Sequence, residues 1–155
     1  MATGHNLLKQ ATSASASSDH VRLQVNADGV AQLVNSSGTA FPLGEYYLQV
    51  DMTDVSAASS AWVVVPSAGY VTKVKTILHG AITGADSTIT AEINNVAITG
   101  VSFVVANAGS AAGDVDTDTA TGANTVAEND KLELVSDGAS STTARLTGVF
   151  TIERR

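Results

Sequence analysis

The sequence predicts an all-β protein: an antiparallel β-sandwich or jelly-roll-like barrel, preceded by an N-terminal arm and a hairpin. Three observations carry this. Short runs alternate apolar and polar side chains with a period of two, as a half-buried strand requires. Turn pairs such as Asp28-Gly29, Asn94-Asn95 and Asp137-Gly138 punctuate those runs, and Asx-Gly in particular supplies the positive φ of a tight hairpin turn. No window sustains an apolar i, i+3, i+4, i+7 stripe bounded by helix caps.

Residues 1–20 form the arm. Ala11-Thr-Ser-Ala-Ser-Ala-Ser-Ser18 is low in complexity and has nothing to build a core from; Leu7 and Leu8 are its large apolar residues beyond Met1. Residues 21–60 read as a hairpin and linker. Val21, Leu23 and Val25 alternate with Arg22 and Gln24, Asn26-Ala27-Asp28-Gly29 turns the chain, and Val30, Leu33 and Val34 return it. A lone hairpin is marginal in water, so this one is expected to pack on its own domain or on a partner. Asn35-Ser-Ser-Gly38 breaks the chain, residues 45–50 suit a strand, and 51–60 suit a linker.

Residues 61–155 form the expected sandwich domain. Trp62-Val-Val-Val65 runs into Pro66. On 70–79, Tyr70, Thr72, Val74, Thr76 and Leu78 are expected on one side. Ile89, Ala91 and Ile93 oppose Thr88, Thr90 and Glu92; Asn94-Asn95 then turns the chain into 96–98, and 102–105 is a separate short apolar run. Leu132 and Leu134 point inward from 131–135, and Ala144, Leu146, Gly148, Phe150 and Ile152 line one face of the last strand.

Composition narrows the function. The chain has 155 residues and no cysteine, which removes disulfides, thiol catalysis and thiolate zinc sites. A net charge of −7, with Lys73, Lys75, Lys131, Arg145, Arg154 and Arg155 scattered, is opposite to what phosphate neutralisation needs, so nucleic acid is not an expected partner. The amino terminus lacks a basic and then apolar secretory pattern, and no run approaches the ~18 apolar residues of a membrane helix. The expectation is a protein made in a cytoplasm, with no membrane association.

The search for chemistry ends without a catalytic set. His5, His20 and His79 are the histidines, and no Gly-x-Ser-x-Gly elbow or phosphate loop accompanies them. Asp114, Asp116 and Asp118 are the weak metal candidates: alternating carboxylates open an EF-hand loop, but Thr119 stands where the turn Gly is needed and Thr125 where the bidentate Glu is needed. A solvated acidic strand face explains them more simply. Glu128-Asn129-Asp130 reads as a turn. Few aromatics are available for a sugar-stacking platform, and Trp62, Tyr46, Tyr47 and Tyr70 read more simply as packing or interface residues. No catalytic residue, cofactor or metal site is assigned.

Several stretches recur together: Val64-Val-Pro-Ser-Ala-Gly-Tyr-Val-Thr-Lys-Val74, Gly80-Ala-Ile-Thr-Gly-Ala-Asp-Ser-Thr-Ile-Thr90, Ala108-Gly-Ser-Ala-Ala-Gly-Asp-Val-Asp116, Asn124-Thr-Val-Ala-Glu-Asn-Asp130 and Ser136-Asp-Gly-Ala-Ser-Ser141. With them, residues 61–152, roughly three-fifths of the chain, resemble a β-domain of tailed-phage virion proteins, chiefly capsid decoration (cement) proteins and head fibres. The motifs are turns and strand edges; Asn129 stands where the usual pattern has Gly. The resemblance implies a non-enzymatic virion structural protein on the outer surface of a phage capsid. Its partners are then the major capsid protein and further copies of itself, a trimer being favoured. Leu7, Leu8, Val21, Leu23, Val25, Val30 and Leu33 are the expected capsid or subunit contacts, by strand addition. A fibre or receptor-reading module that binds glycans is the alternative, and a glycan-active enzyme with two facing carboxylates is a third class.

Overall fold

A computed structural model describes residues 21–25, 27, 31–42 and 44–154. The arm, with Leu7 and Leu8, and Val30 lie outside the described residues. Within them the chain is all-β, without helix, and it divides into two compact units at Glu45/Tyr46.

The first unit is a three-stranded meander of β1 (Arg22–Val25), β2 (Ala31–Val34) and β3 (Ala40–Pro42) in the order β1-β2-β3. The expected hairpin is present, with Arg22 opposite Val34 and Val25 opposite Ala31. Its second turn is built by Asn35, whose Oδ1 accepts from the Thr39 N–H (2.8 Å) and the Ser37 hydroxyl (2.7 Å); Gly38 there takes φ +86°. The third strand was not expected from the sequence. It is three residues long and ends on Pro42, which lacks a donor and is tolerated at a sheet edge.

The second unit holds β4 (Glu45–Met52), β5 (Ser59–Val64), β6 (Gly69–Leu78), β7 (Ser87–Ile93), β8 (Val96–Val105), β9 (Val115–Thr119), β10 (Thr125–Val126), β11 (Lys131–Ser136) and β12 (Leu146–Arg154). One sheet runs β10-β6-β12-β4, with β9 also on β6; the other runs β5-β11-β7-β8. The ladders are antiparallel. Their inner faces enclose one core, centred on Val55, Val71, Val74, Ile89, Leu132, Leu134, Phe150 and Ile152. This is the predicted β-sandwich. Strand β7 alternates as read, with Ser87, Ile89, Ala91 and Ile93 buried. The predicted inner face of β12 holds as well: Leu146, Gly148, Phe150 and Ile152 are all buried.

Three readings differ from the structure. The strand expected at 45–50 is β4, and the 51–60 linker is shorter than read, since β4 runs to Met52 and β5 starts at Ser59; each is the outermost strand of a sheet, so the sandwich begins near Tyr46 rather than at Ala61. On β6, Val71 and Val74 are both buried, because the ladder slips at Thr72: Lys73 faces Thr151, yet Val71 faces Ile152. That bulge reverses the phase, so Tyr70 and Thr72 do not share the buried face of Val74, Thr76 and Leu78. Finally, the two runs at 96–98 and 102–105 are one strand. Across from Ala91, residues 98–101 make an excursion between the Glu92–Ala97 and Thr90–Ser102 pairs, with Gly100 at φ +86°.

That excursion closes one flank of the sandwich. The Thr99 N–H donates to the Gly122 carbonyl at 2.9 Å, the Thr99 carbonyl accepts from the Thr121 N–H at 2.8 Å, and the Asp118 carboxylate accepts from the Ser102 N–H at 3.0 Å, so β8 is stitched to β9 and the segment after it. On the opposite flank lie β4 and β5, linked by residues 53–58. Among the described strands neither has a second neighbour.

Candidate functional site

The three aspartates singled out in the sequence do not converge. Asp114 caps the preceding turn, its carboxylate accepting from the Ala111 N–H at 2.7 Å, and Asp118 is occupied by the Ser102 N–H. Asp116 lies half-buried between them; burial, and then the charges of Asp118 and Asp114, push its carboxyl above the usual range. Among the described residues no group of three or more His, Asp or Glu is arranged to hold a cation. A groove of about 270 Å³ along residues 104–110 carries Asp114 and Asp116, two carboxylates from one stretch of chain rather than from facing walls.

His79 sits at the end of β6, where its Nε2 is 2.8 Å from the Thr147 hydroxyl. That hydroxyl donates to Asp51 Oδ1 at 2.6 Å, and Arg145 Nη2 reaches the same oxygen at 2.8 Å. The hydrogen bonds from Thr147 and Arg145 hold the Asp51 carboxyl down to about 2. Because Thr147 gives its single proton to Asp51, His79 must donate to Thr147. In this arrangement the imidazole is a donor to the hydroxyl and not a base positioned to activate it.

Two exposed apolar surfaces stand out instead. On the first unit, Val21 (56% exposed), Leu23 (47%) and Val25 (45%) follow one another at alternate positions along β1, and Leu33 lies opposite Leu23 on β2 and is half-buried. Of the apolar side chains described before Glu45, only Val34 is buried. Strands β1 and β2, with one buried side chain between them, fall short of the apolar burial that an independent sheet needs.

The second surface is the outer face of the β5-β11-β7-β8 sheet. Trp62 points out of β5 and is 58% exposed, so the lone tryptophan of the chain is not a packing residue. Its Nε1–H donates to Glu133 Oε2 at 2.6 Å. Glu133 is the cross-strand partner of both Trp62 and Glu92 and is only 1% exposed; its Oε1 accepts from the Asn95 N–H at 3.1 Å and lies 3.5 Å from Lys131 Nζ. Alternation places Glu133 outward between Leu132 and Leu134, but its burial and its bond to the indole were not legible in the sequence. The tyrosines differ: Tyr46 packs on the core, its hydroxyl donates to the Ser67 carbonyl, and Arg154 lies 5.0 Å from its ring centre.

No protein-family model and no curated protein matches this chain. Solved structures do. A chain in the capsid structure of the Helicobacter pylori bacteriophage KHP30, described as stable in acid, matches over 70% of this chain and 86% of its own, with a TM-score of 0.50 and 12% identity. Matches to the catalytic unit of a Streptomyces thermodiastaticus α-1,3-glucanase (72% of this chain, 26% of that one, TM-score 0.43, 14% identity) and to a Bacillus subtilis arabinoxylan arabinofuranohydrolase (86% and 33%, TM-score 0.45, 14% identity) are partial. At these identities the likeness is one of fold: this β-fold is shared with a phage capsid component.

Proposed function

We propose that this chain is a non-enzymatic structural protein of a phage virion that decorates and cements the outside of the capsid. The carrying observation is the contrast between the two units. The sandwich encloses its own core, whereas the β1–β3 sheet leaves the Val21, Leu23 and Val25 row uncovered. On this reading the row and the arm before it dock on the major capsid protein or on a neighbouring copy, β1 adding to an exposed strand. The copies on the capsid surface form a homo-oligomer, with a trimer favoured. The shared fold of a small chain in the KHP30 capsid supports the same reading.

Each of the three side chains is about half exposed, and fully burying a Val or Leu stabilises by about 1.5–3 kcal/mol. Covering the row therefore contributes about 3 kcal/mol, or roughly 10²-fold in affinity. The full-length triple variant Val21→Ser, Leu23→Ser, Val25→Ser, co-sedimented with capsids, is expected to bind about a hundredfold more weakly and to lose the rise in capsid disassembly temperature given by the parent. Binding indistinguishable from the parent rejects the proposal.

A further inference from the structure

We infer that the outer face of the β5-β11-β7-β8 sheet is a carbohydrate-binding surface on which Trp62 stacks against one pyranose ring of a glycan. The inference goes beyond capsid decoration and does not rest on it.

Three features of the face point to a sugar. The first is pre-organisation. The indole edge is tied to Glu133, whose remaining oxygen is held by the Asn95 N–H and Lys131, so the ring does not have to be ordered on binding and that entropic cost is already met. With its N–H spent inside the protein, what Trp62 offers a ligand is the bare ring face, which suits the apolar C–H face of a pyranose. The second is an adjacent acceptor. Glu92 stands next to Glu133 in the same cross-strand row; it is half-buried, and none of the hydrogen bonds or ion pairs among the described residues uses its carboxylate. Two acids directly opposite one another cost stability in a sheet. A carboxylate kept there with open lone pairs is suited to accept from sugar hydroxyls beside the stacked ring.

The third feature is the setting of the ring. Around Trp62 the outward positions mix short aliphatic side chains, Val64 on its own strand and Val135 on β11, with polar ones: Ser60, Lys131, Glu133, Thr90 and Glu92. A rigid aromatic flanked by small aliphatic side chains, two hydroxyls and one open carboxylate matches a ligand with one apolar face and a hydroxylated rim. Small-molecule sites share this composition, a flat apolar contact with a few placed polar groups.

Because the chain has one tryptophan, its emission reports this face directly. Full-length protein is titrated with cellohexaose, maltohexaose, chitohexaose and mannohexaose, and binding is measured in parallel by calorimetry. At least one of these probes is expected to shift and saturate the Trp62 emission. Calorimetry on Trp62→Ala and Glu92→Gln, each checked for an unchanged circular dichroism spectrum, is expected to show about tenfold or greater weakening. Silence of all four probes at millimolar concentration overturns the inference, as does full binding by folded Trp62→Ala. So does loss of capsid co-sedimentation in the Trp62→Ala variant, which makes this face a protein contact. The β1-row variant, with the face intact, should keep its sugar binding even if it loses capsids, so the two readings fail separately.

Discussion

Gly148→Ala tests whether β11 and β12, from opposite sheets, face each other across the core as described. A methyl group built at Gly148 lies 2.4 Å from Leu134 Cδ1 and 3.4 Å from its Cγ, whereas carbon atoms pack best at about 3.5–4.0 Å. Leu134 must therefore retreat by about 1 Å from a position with no solvent exposure. Overpacking of this kind costs about 1–3 kcal/mol, or about 4–12 °C in Tm at about 4 °C per kcal/mol for a domain of this size. Urea and thermal unfolding followed by far-ultraviolet circular dichroism measure it, since Trp62 is already exposed and its emission is a poor reporter of unfolding. In a Leu134→Ala background, which alone costs about 2–5 kcal/mol, the added methyl has space and its penalty should nearly vanish, leaving a coupling of about 1–3 kcal/mol. A Gly148→Ala variant within about 0.5 kcal/mol of the parent, or a strictly additive cycle, refutes the facing arrangement.

Other outcomes follow from the turns and the carboxylates. Asn129 takes φ +71°, so Asn129→Gly should change stability by less than about 0.5 kcal/mol, whereas a β-branched Val at that position should cost about 1–3 kcal/mol; equal effects of the two refute the strained turn. Gly138, at φ +70°, has the Ala58 nitrogen 2.3 Å from where a Cβ would stand. Gly138→Ala should therefore destabilise by more than about 1 kcal/mol, and a neutral result in denaturant unfolding counts against this contact. Asp51 is held at about 2 by Thr147 and Arg145, below the ~3.9 of an unfolded chain; its contribution is complete above about pH 4 and is lost as pH falls toward 2. Asp54, through the Ser56 hydroxyl, and Asp130, through the Ala127 N–H, act with the same sign, while burial of Asp116 acts oppositely, its contribution lost as pH rises. Tm should fall below about pH 4, and less steeply in Asp51→Asn; parallel curves refute the assignment.

What the sequence disclosed follows from what period-two patterning can encode. β7, β11 and β12 were readable because each keeps one phase from end to end against a single core. β6 was misread before Lys73, at Tyr70 and Thr72, because a bulge at Thr72 inserts one residue, and nothing in Tyr70-Val-Thr-Lys73 marks it. The break at residues 98–101 looked like a chain turn because Gly100 gives the same local signal whether a strand ends or steps aside. Asn129 could be placed in a left-handed turn by analogy with glycine, since Asn is among the few side chains that tolerate it. The exposed β1 row was legible from alternation alone. The Trp62–Glu133–Glu92 row was not, because it joins residues on three strands through a register that only the folded sheets establish.

The sealing of one flank by Thr99, Gly122 and Asp118 limits how copies of the sandwich can add to one another. A sheet whose strands are free at both ends extends without limit, each newcomer presenting a fresh edge to the next. Here β8 is tied to β9 and the segment after it, so among the described strands of the sandwich the long vacant ladders lie beside β4 and β5. Of these, Glu45 and Asp51 charge β4, while Ser59–Val64 carries no charge at all. Pairing along β5 consumes the edge that it uses, and what remains is β4, whose charges resist a second pairing of the same kind.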